Sequence, residues 1–309
     1  MKEPILLSIC IPTYGRDKIL EQNLTHLTSL KVFSDSQQWE IVISDNASPD
    51  STKTIGRNFS TLHPTRIRYF RNETNVCDDN FRLALSRGEG RYLKLCNDTL
   101  LLTDSGIREM LACIEEYSTE KPNLYFRNVA GSTPAQHCYT FDDFIYNVGH
   151  MCTWIAEYGI WREDFENLND FGRASKKMLI QVDATFRMLA KKPHSLILRR
   201  HFFDLIPKPF HRGFEPSFIF GQNYFSLLKP YFDAGLVSKK ALNHDKYGMF
   251  RYVILPNYLI TNPEFQYTRV DYLRNLWPEY KNQWYFYFFY PFTLAAIPIA
   301  WFRRFILKA

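Results

Sequence analysis

Apolar and polar positions alternate in blocks along the first hundred residues. Ile5-Leu-Leu-Ser-Ile-Cys-Ile11 is a nearly unbroken apolar run, the pattern of a strand covered on both faces in a parallel sheet. It stops at Pro12-Thr-Tyr-Gly-Arg16, and a helical spacing follows from Asp17 to about Leu30, with Ile19, Leu20, Leu24, Leu27 and Leu30 on one face. Glu40-Ile-Val-Ile-Ser44 predicts a second strand. Asp45-Asn-Ala-Ser-Pro-Asp-Ser-Thr52 then supplies turn residues and helix caps for a helix to about Phe59. Arg66 to Phe70 predicts a third strand, Asp79 to Arg87 a helix closed by Gly88-Glu-Gly90, and Tyr92 to Leu102 a fourth strand with a polar break at Asn97-Asp98-Thr99. Three strand-loop-helix repeats predict an α/β fold with a Rossmann-like, mostly parallel sheet flanked by helices.

Ligands of such sheets bind at the carboxyl ends of the strands. Here those ends are Thr13, Tyr14 and Arg16; Asp45 and Asn46; Arg71 and Asn75; Asn97 and Asp98. Hydroxyl, carboxylate and guanidinium groups on neighbouring strands suit a nucleotide phosphate. All loops are polar, so this alone does not decide. Neither Gly-x-Gly-x-x-Gly nor Gly-x-x-x-x-Gly-Lys-Ser/Thr occurs, which argues against a dinucleotide enzyme and a P-loop NTPase. Asp98 has a plainer reading as a turn aspartate before the helix expected from Thr103 or Asp104.

The 309 residues carry a formal charge of +6, compatible with anionic ligands but too small to point to nucleic acid. Six scattered cysteines with no Cys-x-x-Cys pair argue against zinc and for a reducing compartment. The apolar run at the N-terminus is too short for a signal peptide, so the chain is expected to stay in the cytoplasm.

Ser8-Ile-Cys-Ile-Pro-Thr-Tyr-Gly-Arg16, Glu40-Ile-Val-Ile-Ser-Asp-Asn-Ala-Ser-Pro-Asp-Ser-Thr52, Asn75 to Asn80 and Gly88-Glu-Gly-Arg-Tyr92 together resemble the family 2 glycosyltransferases, which have the GT-A fold. The resemblance covers about residues 5–105. Over 140–260 it is weaker, where Gly149-His-Met-Cys-Thr-Trp-Ile and Gly213 to Tyr224 are similar to bacterial enzymes of O-antigen and capsule synthesis. It implies inverting transfer of a sugar from a nucleotide diphosphate sugar to a glycan or polyprenyl-linked acceptor. It also implies a division into a nucleotide-sugar half (1–105), an acceptor half (106–265) and a C-terminal segment (266–309). Carried over, Pro12, Thr13, Tyr14 and Arg16 line the nucleotide pocket, Asp45 or Asn46 holds the base with Arg71 and Asn75 close by, and Asp98 sits by the diphosphate and a divalent cation, Mn or Mg. The family usually has two or three aspartates at that motif. Here Asn97-Asp98-Thr99-Leu100 has one, with Leu100 where a ligating Asp is common, so Asn97 or a later histidine would have to complete the shell.

Inversion needs a general base. Asp183, in Leu179-Ile-Gln-Val-Asp-Ala-Thr-Phe-Arg187, is the expected one: its apolar neighbours suggest the start of a packed helix, which would raise its pKa. An ordinary helix N-terminal aspartate is the alternative. Asp142 and Asp143 look like helix-start residues, and Glu163 and Asp164 like solvated ones. Among His201, His211 and His244, His211 is the candidate metal or diphosphate contact, with Arg212 beside it. Trp154 is either an acceptor platform or a core residue.

Trp284 to Trp301 contains no charged residue, has tryptophans at both ends and two prolines, and is followed by Arg303, Arg304 and Lys308. An aromatic-rich, helical segment of this kind suits a membrane interface better than a span. Taken with the resemblance, it implies a place at the cytoplasmic face of a bacterial inner membrane, peripheral or monotopic. Two other readings remain: a sugar-nucleotide nucleotidyltransferase, which would want a richer glycine loop after the first strand, and a non-catalytic assembly partner, supported by the missing aspartates.

Overall fold

The computed structural model describes residues 4–206, 215–256 and 272–288. The chain divides into two compact units, Met1–Phe144 with Cys152–Pro207, and Ile145–Met151 with Lys208–Ala309.

The first unit is built on a five-stranded sheet. Strands β1 (Leu7–Thr13) and β2 (Trp39–Asp45) are buried along their whole length, as their apolar runs require. With β3 (Ile67–Arg71) and β4 (Tyr92–Leu95) they run parallel in the order β3-β2-β1-β4, and β8 (Gly159–Trp161) closes the edge antiparallel to β4. Helices α1 (Asp17–Ser29), α2 (Lys31–Asp35), α3 (Thr52–Leu62) and α4 (Asp79–Ser86) make or follow the crossovers. The apolar face of α1 buries Leu20, Leu24 and Leu27 in the same cluster as Ile9, Ile11, Ile41 and Ile43. Close approach of β4 to β1 depends on Gly90, where a Cβ would stand 2.6 Å from the backbone nitrogen of Ser8. The strands are also tied by buried Glu40, whose Oε1 accepts from Ser8 Oγ (2.6 Å) and Glu89 N (2.6 Å) while Oε2 accepts from Arg68 Nε (2.8 Å).

The stretch from Tyr92 to Leu102 is two strands rather than one. After Leu95 the chain turns at Asn97, where Leu100 N donates to Asn97 O (3.1 Å). Strand β5 (Leu100–Leu102) then pairs antiparallel with β10 (Phe203–Leu205) in a separate ribbon. Thr103, not Asp98, caps the next helix, α5 (Asp104–Glu116), accepting from Gly106 N. A three-stranded sheet follows, in which β6 (Asn123–Asn128) is parallel to β9 (Ser195–Arg200) and β7 (Gln136–Cys138) antiparallel to it. Helices α6 (Phe141–Asn147) and α7 (Arg162–Glu166) are short, and α8 (Ile180–Lys191) buries most of its first three turns.

The second unit is helical and aromatic. Phe225, Phe250, Tyr280, Tyr285 and Phe286 pack with ring centroids 5.4–6.4 Å apart. Buried Asp245 accepts from His150 N (2.5 Å) and Tyr224 Oη (2.8 Å). No helix among the described residues is long and apolar enough to cross a membrane. Of the uncharged C-terminal run, Trp284, Tyr287 and Phe288 are exposed, and 289–309 lie outside the described residues.

A buried lysine breaks the apolar pattern of β4. Lys94, fully buried in β4, donates from Nζ to the carbonyls of Leu95 (3.0 Å) and Ala156, and burial pushes its pKa down to about 8. Burial also pushes the Cys96 and Cys113 thiols up to about 12 and that of Cys10 higher still. The signs oppose. Above pH 9 the unfolded thiols ionise while the folded ones keep their protons, so stability falls with pH. Between about pH 8 and 10.5 the unfolded Lys94 holds its proton while the folded one loses it, so stability rises. Each thiol costs roughly 1 kcal/mol at pH 10, one pKa unit above its unfolded value, and Lys94 offsets part of that loss. Urea midpoints under reducing conditions should therefore drop from pH 8.5 to 10, and drop more steeply in Lys94→Met; a flat profile in both proteins would contradict this.

Candidate functional site

Parallel register sets Thr13 opposite Asp45 and Asp45 opposite Arg71, so three strands end in one polar row. The Asp45 side chain is fully buried and bonded at both oxygens. Its Oδ2 accepts from Arg71 Nη1 (2.5 Å) and Tyr69 Oη (2.6 Å), and its Oδ1 from Ser48 N (2.8 Å). Arg71 reaches from a part-exposed position and also donates to Ser48 O (3.0 Å). Its pKa is raised by the bond to Asp45, and that of Tyr69 by burial and then by the same carboxylate. The Tyr69 ring lies where a Cβ on Gly56 of α3 would fall, so that glycine lets Tyr69 reach the carboxylate.

Asn46 organises the neighbouring loop. Its Nδ2 donates to Asn75 Oδ1 (2.7 Å) and Cys77 O (3.3 Å), and its Oδ1 accepts from Asn72 Nδ2 (3.0 Å) and Val76 N (2.9 Å). Ala47 and Cys77 hold positive φ (63° and 51°), a conformation non-glycine residues rarely adopt and one concentrated at functional loops.

The turn after β4 brings Asp98 to the same edge. The carboxylate is 1% exposed; Oδ2 accepts from Thr13 Oγ1 (2.8 Å) and Oδ1 from Arg16 Nη1 (2.6 Å). The two clusters join through Asn46 N to Thr13 O (3.0 Å) and Gly15 N to Ser48 Oγ (3.0 Å). Tyr14 is exposed beside them, and Pro12 is buried inside β1. Two buried polar atoms have no partner here, the Nε of Arg16 and the Oδ1 of Asn97. Thus Thr13, Arg16, Asp98, Asp45, Asn46, Arg71 and Asn75 form one connected edge. Sequence reasoning missed Ser48, Tyr69 and Asn72; only the Asn/Ser density of their loops hinted at them.

A resident dication does not fit the groups at Asp98. Both carboxylate oxygens already accept a hydrogen bond, one of them from a guanidinium that a dication would face. Leu100, at the position where a second carboxylate would help, is buried in the core and heads β5. Asn97 Oδ1 is a buried oxygen in the turn without a hydrogen-bond partner. Among the described residues no three His, Cys, Asp or Glu side chains gather as a metal site. His211 and Arg212 lie outside the described residues.

Asp183 sits in the first turn of α8, as its sequence context suggests, but its surroundings are not only apolar. The carboxylate is clamped by Arg173 through Nε (2.8 Å) and Nη2 (2.6 Å), with Arg187 Nη1 at 3.7 Å. Gly172, next to Arg173, lines a cleft of about 590 Å³ with Asp79, Arg82, Phe165 and Asp170. Asp142 and Asp143 are in the first turn of α6. Glu163 pairs with Lys121 at the surface; Asp164, expected to be solvated, is largely covered and pairs with Lys192. His201 meets Asp204 (3.0 Å) in the open, and His244 stacks on Tyr146 (4.4 Å). Trp154 is 38% exposed with its edge toward Phe203 (5.2 Å), so it is neither fully core nor free.

Residues 8–148 match the family model "Glycosyl transferase family 2". The chain is 33% identical over 123 residues to the abequosyltransferase RfbV of Salmonella typhimurium, covering 39% of this chain and 35% of that protein. It is 32% identical over 102 residues to the validoxylamine A glucosyltransferase of Streptomyces hygroscopicus subsp. limoneus, covering 33% and 20%. The chain therefore spans about a third or less of the length of these relatives. In fold it is similar to residues 1–349 of S. aureus TarS in complex with UDP-GlcNAc, with a TM-score of 0.60 at 12% identity over 88% of this chain and 78% of that one. It is also similar to the mannosyltransferase PcManGT from Pyrobaculum calidifontis in complex with GDP-Man and Mn²⁺, with a TM-score of 0.53 at 14% identity over 82% and 72%. The matched region holds the whole polar edge from Thr13 to Asp98, and the chain has the α/β GT-A fold of the glycosyltransferases it resembles.

Proposed function

We propose that the protein is an inverting glycosyltransferase that moves a sugar from a nucleotide diphosphate sugar to a glycan or lipid-linked oligosaccharide in the synthesis of a bacterial surface polysaccharide. The observation that carries this is the connected edge itself. Thr13, Asp45 and Arg71 stand in one row on three parallel strands, and Asp98 with Arg16 closes the row on the fourth. Asp45, Asn46, Arg71 and Asn75 form the end for the base, where planar amide, carboxylate and guanidinium groups match the hydrogen-bonding edge of a nucleobase. Thr13, Arg16 and Asp98 form the end for the diphosphate. Asp183 takes the proton of the acceptor hydroxyl. The names of the relatives, an abequosyltransferase and a glucosyltransferase, and the UDP-GlcNAc bound to TarS support the donor class. The aromatic segment from Trp284 onward is the part that meets a membrane surface, at the cytoplasmic face where lipid-linked acceptors are available.

The test is calorimetric titration of the protein with UDP, GDP and CDP. One of the three is expected to bind clearly more tightly than the others, and Arg71→Ala should weaken it about 10- to 100-fold, the worth of a hydrogen bond to a charged group. Absence of binding to all three, with and without Mn²⁺, would sink the transferase reading.

A further inference from the structure

Building on the nucleotide-diphosphate reading, we propose that Arg16 is the cation of this site: its guanidinium, held by Asp98, faces the donor diphosphate where relatives of this fold use a divalent metal. Both oxygens of Asp98 are already engaged, by Thr13 at 2.8 Å and Arg16 at 2.6 Å, so a metal there would have to share them with a guanidinium. Nor can a dication simply be added, since it would meet a guanidinium bound to the same carboxylate, and like charges at that range repel strongly. The second carboxylate that would outbid the arginine is absent, Leu100 standing in the core instead.

Arg16 itself has capacity to spare. A guanidinium carries five N–H donors. Nη1 serves Asp98, and Nε is buried and unpartnered. The side chain is 21% exposed, so part of the fork is open to a ligand while Asp98 fixes the rest. Its backbone sets it at the N-cap of α1, at the end of the turn that leaves β1, so it is placed by the sheet edge rather than by a long loop. Planar forks bind phosphate bidentately, which a lysine at the same place would not do. The pair Asp98–Arg16 is neutral as a unit, and arrival of a diphosphate makes use of the arginine's remaining donors.

In the transfer, the acceptor oxygen bonds to the anomeric carbon as the bond from that carbon to the β-phosphate oxygen breaks. The electron pair leaves on the nucleoside diphosphate, and the acceptor's proton goes to the general base. Arg16 meets the charge that grows on the leaving oxygen, the preorganised stabilisation that lowers such barriers most. Asp98 is then a positioning residue, and Thr13 fixes Asp98.

The experiment is titration of the full chain with UDP, GDP and CDP in EDTA, then in excess Mn²⁺ or Mg²⁺. One diphosphate is expected to bind in EDTA, with its affinity changed less than about 3-fold by either metal. Arg16→Ala and Arg16→Lys should each weaken it about 10- to 100-fold, with no rescue by metal. A thermal melt of each variant checks that it folds, and the wild-type comparison of EDTA with metal decides the matter without any variant. A rise of about 10-fold or more with Mn²⁺ or Mg²⁺ in the wild type overturns the proposal and leaves the transferase reading standing. Equal binding by folded Arg16→Ala overturns it as well. No binding in any condition overturns both.

Discussion

Asp45→Ala is expected to lower the unfolding free energy by about 3–4 kcal/mol and to abolish measurable nucleoside diphosphate binding. The stability loss follows from what the carboxylate leaves behind. Its removal strands the Ser48 N–H inside the protein, costing about 1–3 kcal/mol, leaves the part-buried Tyr69 hydroxyl without its acceptor, and uncouples Arg71. Arg71 is part-exposed and can turn toward water, which keeps the sum below that of three fully buried losses. Asp45→Asn retains an acceptor for Ser48 N but turns an N–H₂ or a weaker acceptor toward Arg71, and should fall between the two. Urea denaturation gives the first number and calorimetry the second. A loss below about 1 kcal/mol would mean the three contacts are worth little, and intact binding would move the base elsewhere.

Asp183→Asn is expected to cut the transfer rate about 100- to 10,000-fold, the usual worth of a general base, while leaving diphosphate affinity unchanged. The isosteric amide still fills the first turn of α8 and can accept from Arg173, so the fold should hold. The clamp by Arg173 sets a further expectation. An acceptor must displace or share one of its two bonds, so Arg173→Gln should alter the pH dependence of transfer and not merely its size. Rates against pH with a saturating donor decide the matter. Transfer that survives Asp183→Asn with an unchanged acid limb would place the base at another residue while sparing the donor site.

What the sequence made legible has a physical reason. Strands β1, β2 and β3 and helices α1, α3 and α4 could be read because strands covered on both faces are written as continuous apolar runs, with polar turns between. The same logic gave the edge residues Thr13, Asp45, Arg71 and Asp98, since each follows its run directly. It failed where the run itself was ambiguous: Leu100 to Leu102 looks like the continuation of Tyr92 to Leu95, and only its pairing with Phe203–Leu205, a hundred residues on, shows that it leaves the sheet. The β6-β9-β7 sheet was invisible for the same cause, its strands being short or separated by some seventy residues. Pairings between charged groups were equally hidden. Arg16 was read as a pocket residue and Asp98 as a metal ligand, but 82 positions separate them and nothing local announces their contact. Lys94 runs against every strand rule, and its partner carbonyl on Ala156 belongs to a segment with no regular pattern.

The six cysteines have one more consequence. Five are buried and Cys77 is exposed, with its carbonyl bonded to Asn46 and its backbone turned to positive φ at the lip of the loop assigned to the nucleobase. The native chain thus offers a thiol-directed dye a single address, and that address is on the rim of the proposed donor pocket. Occupancy of the pocket becomes something to watch by fluorescence, in the unmutated protein and without a radioactive sugar.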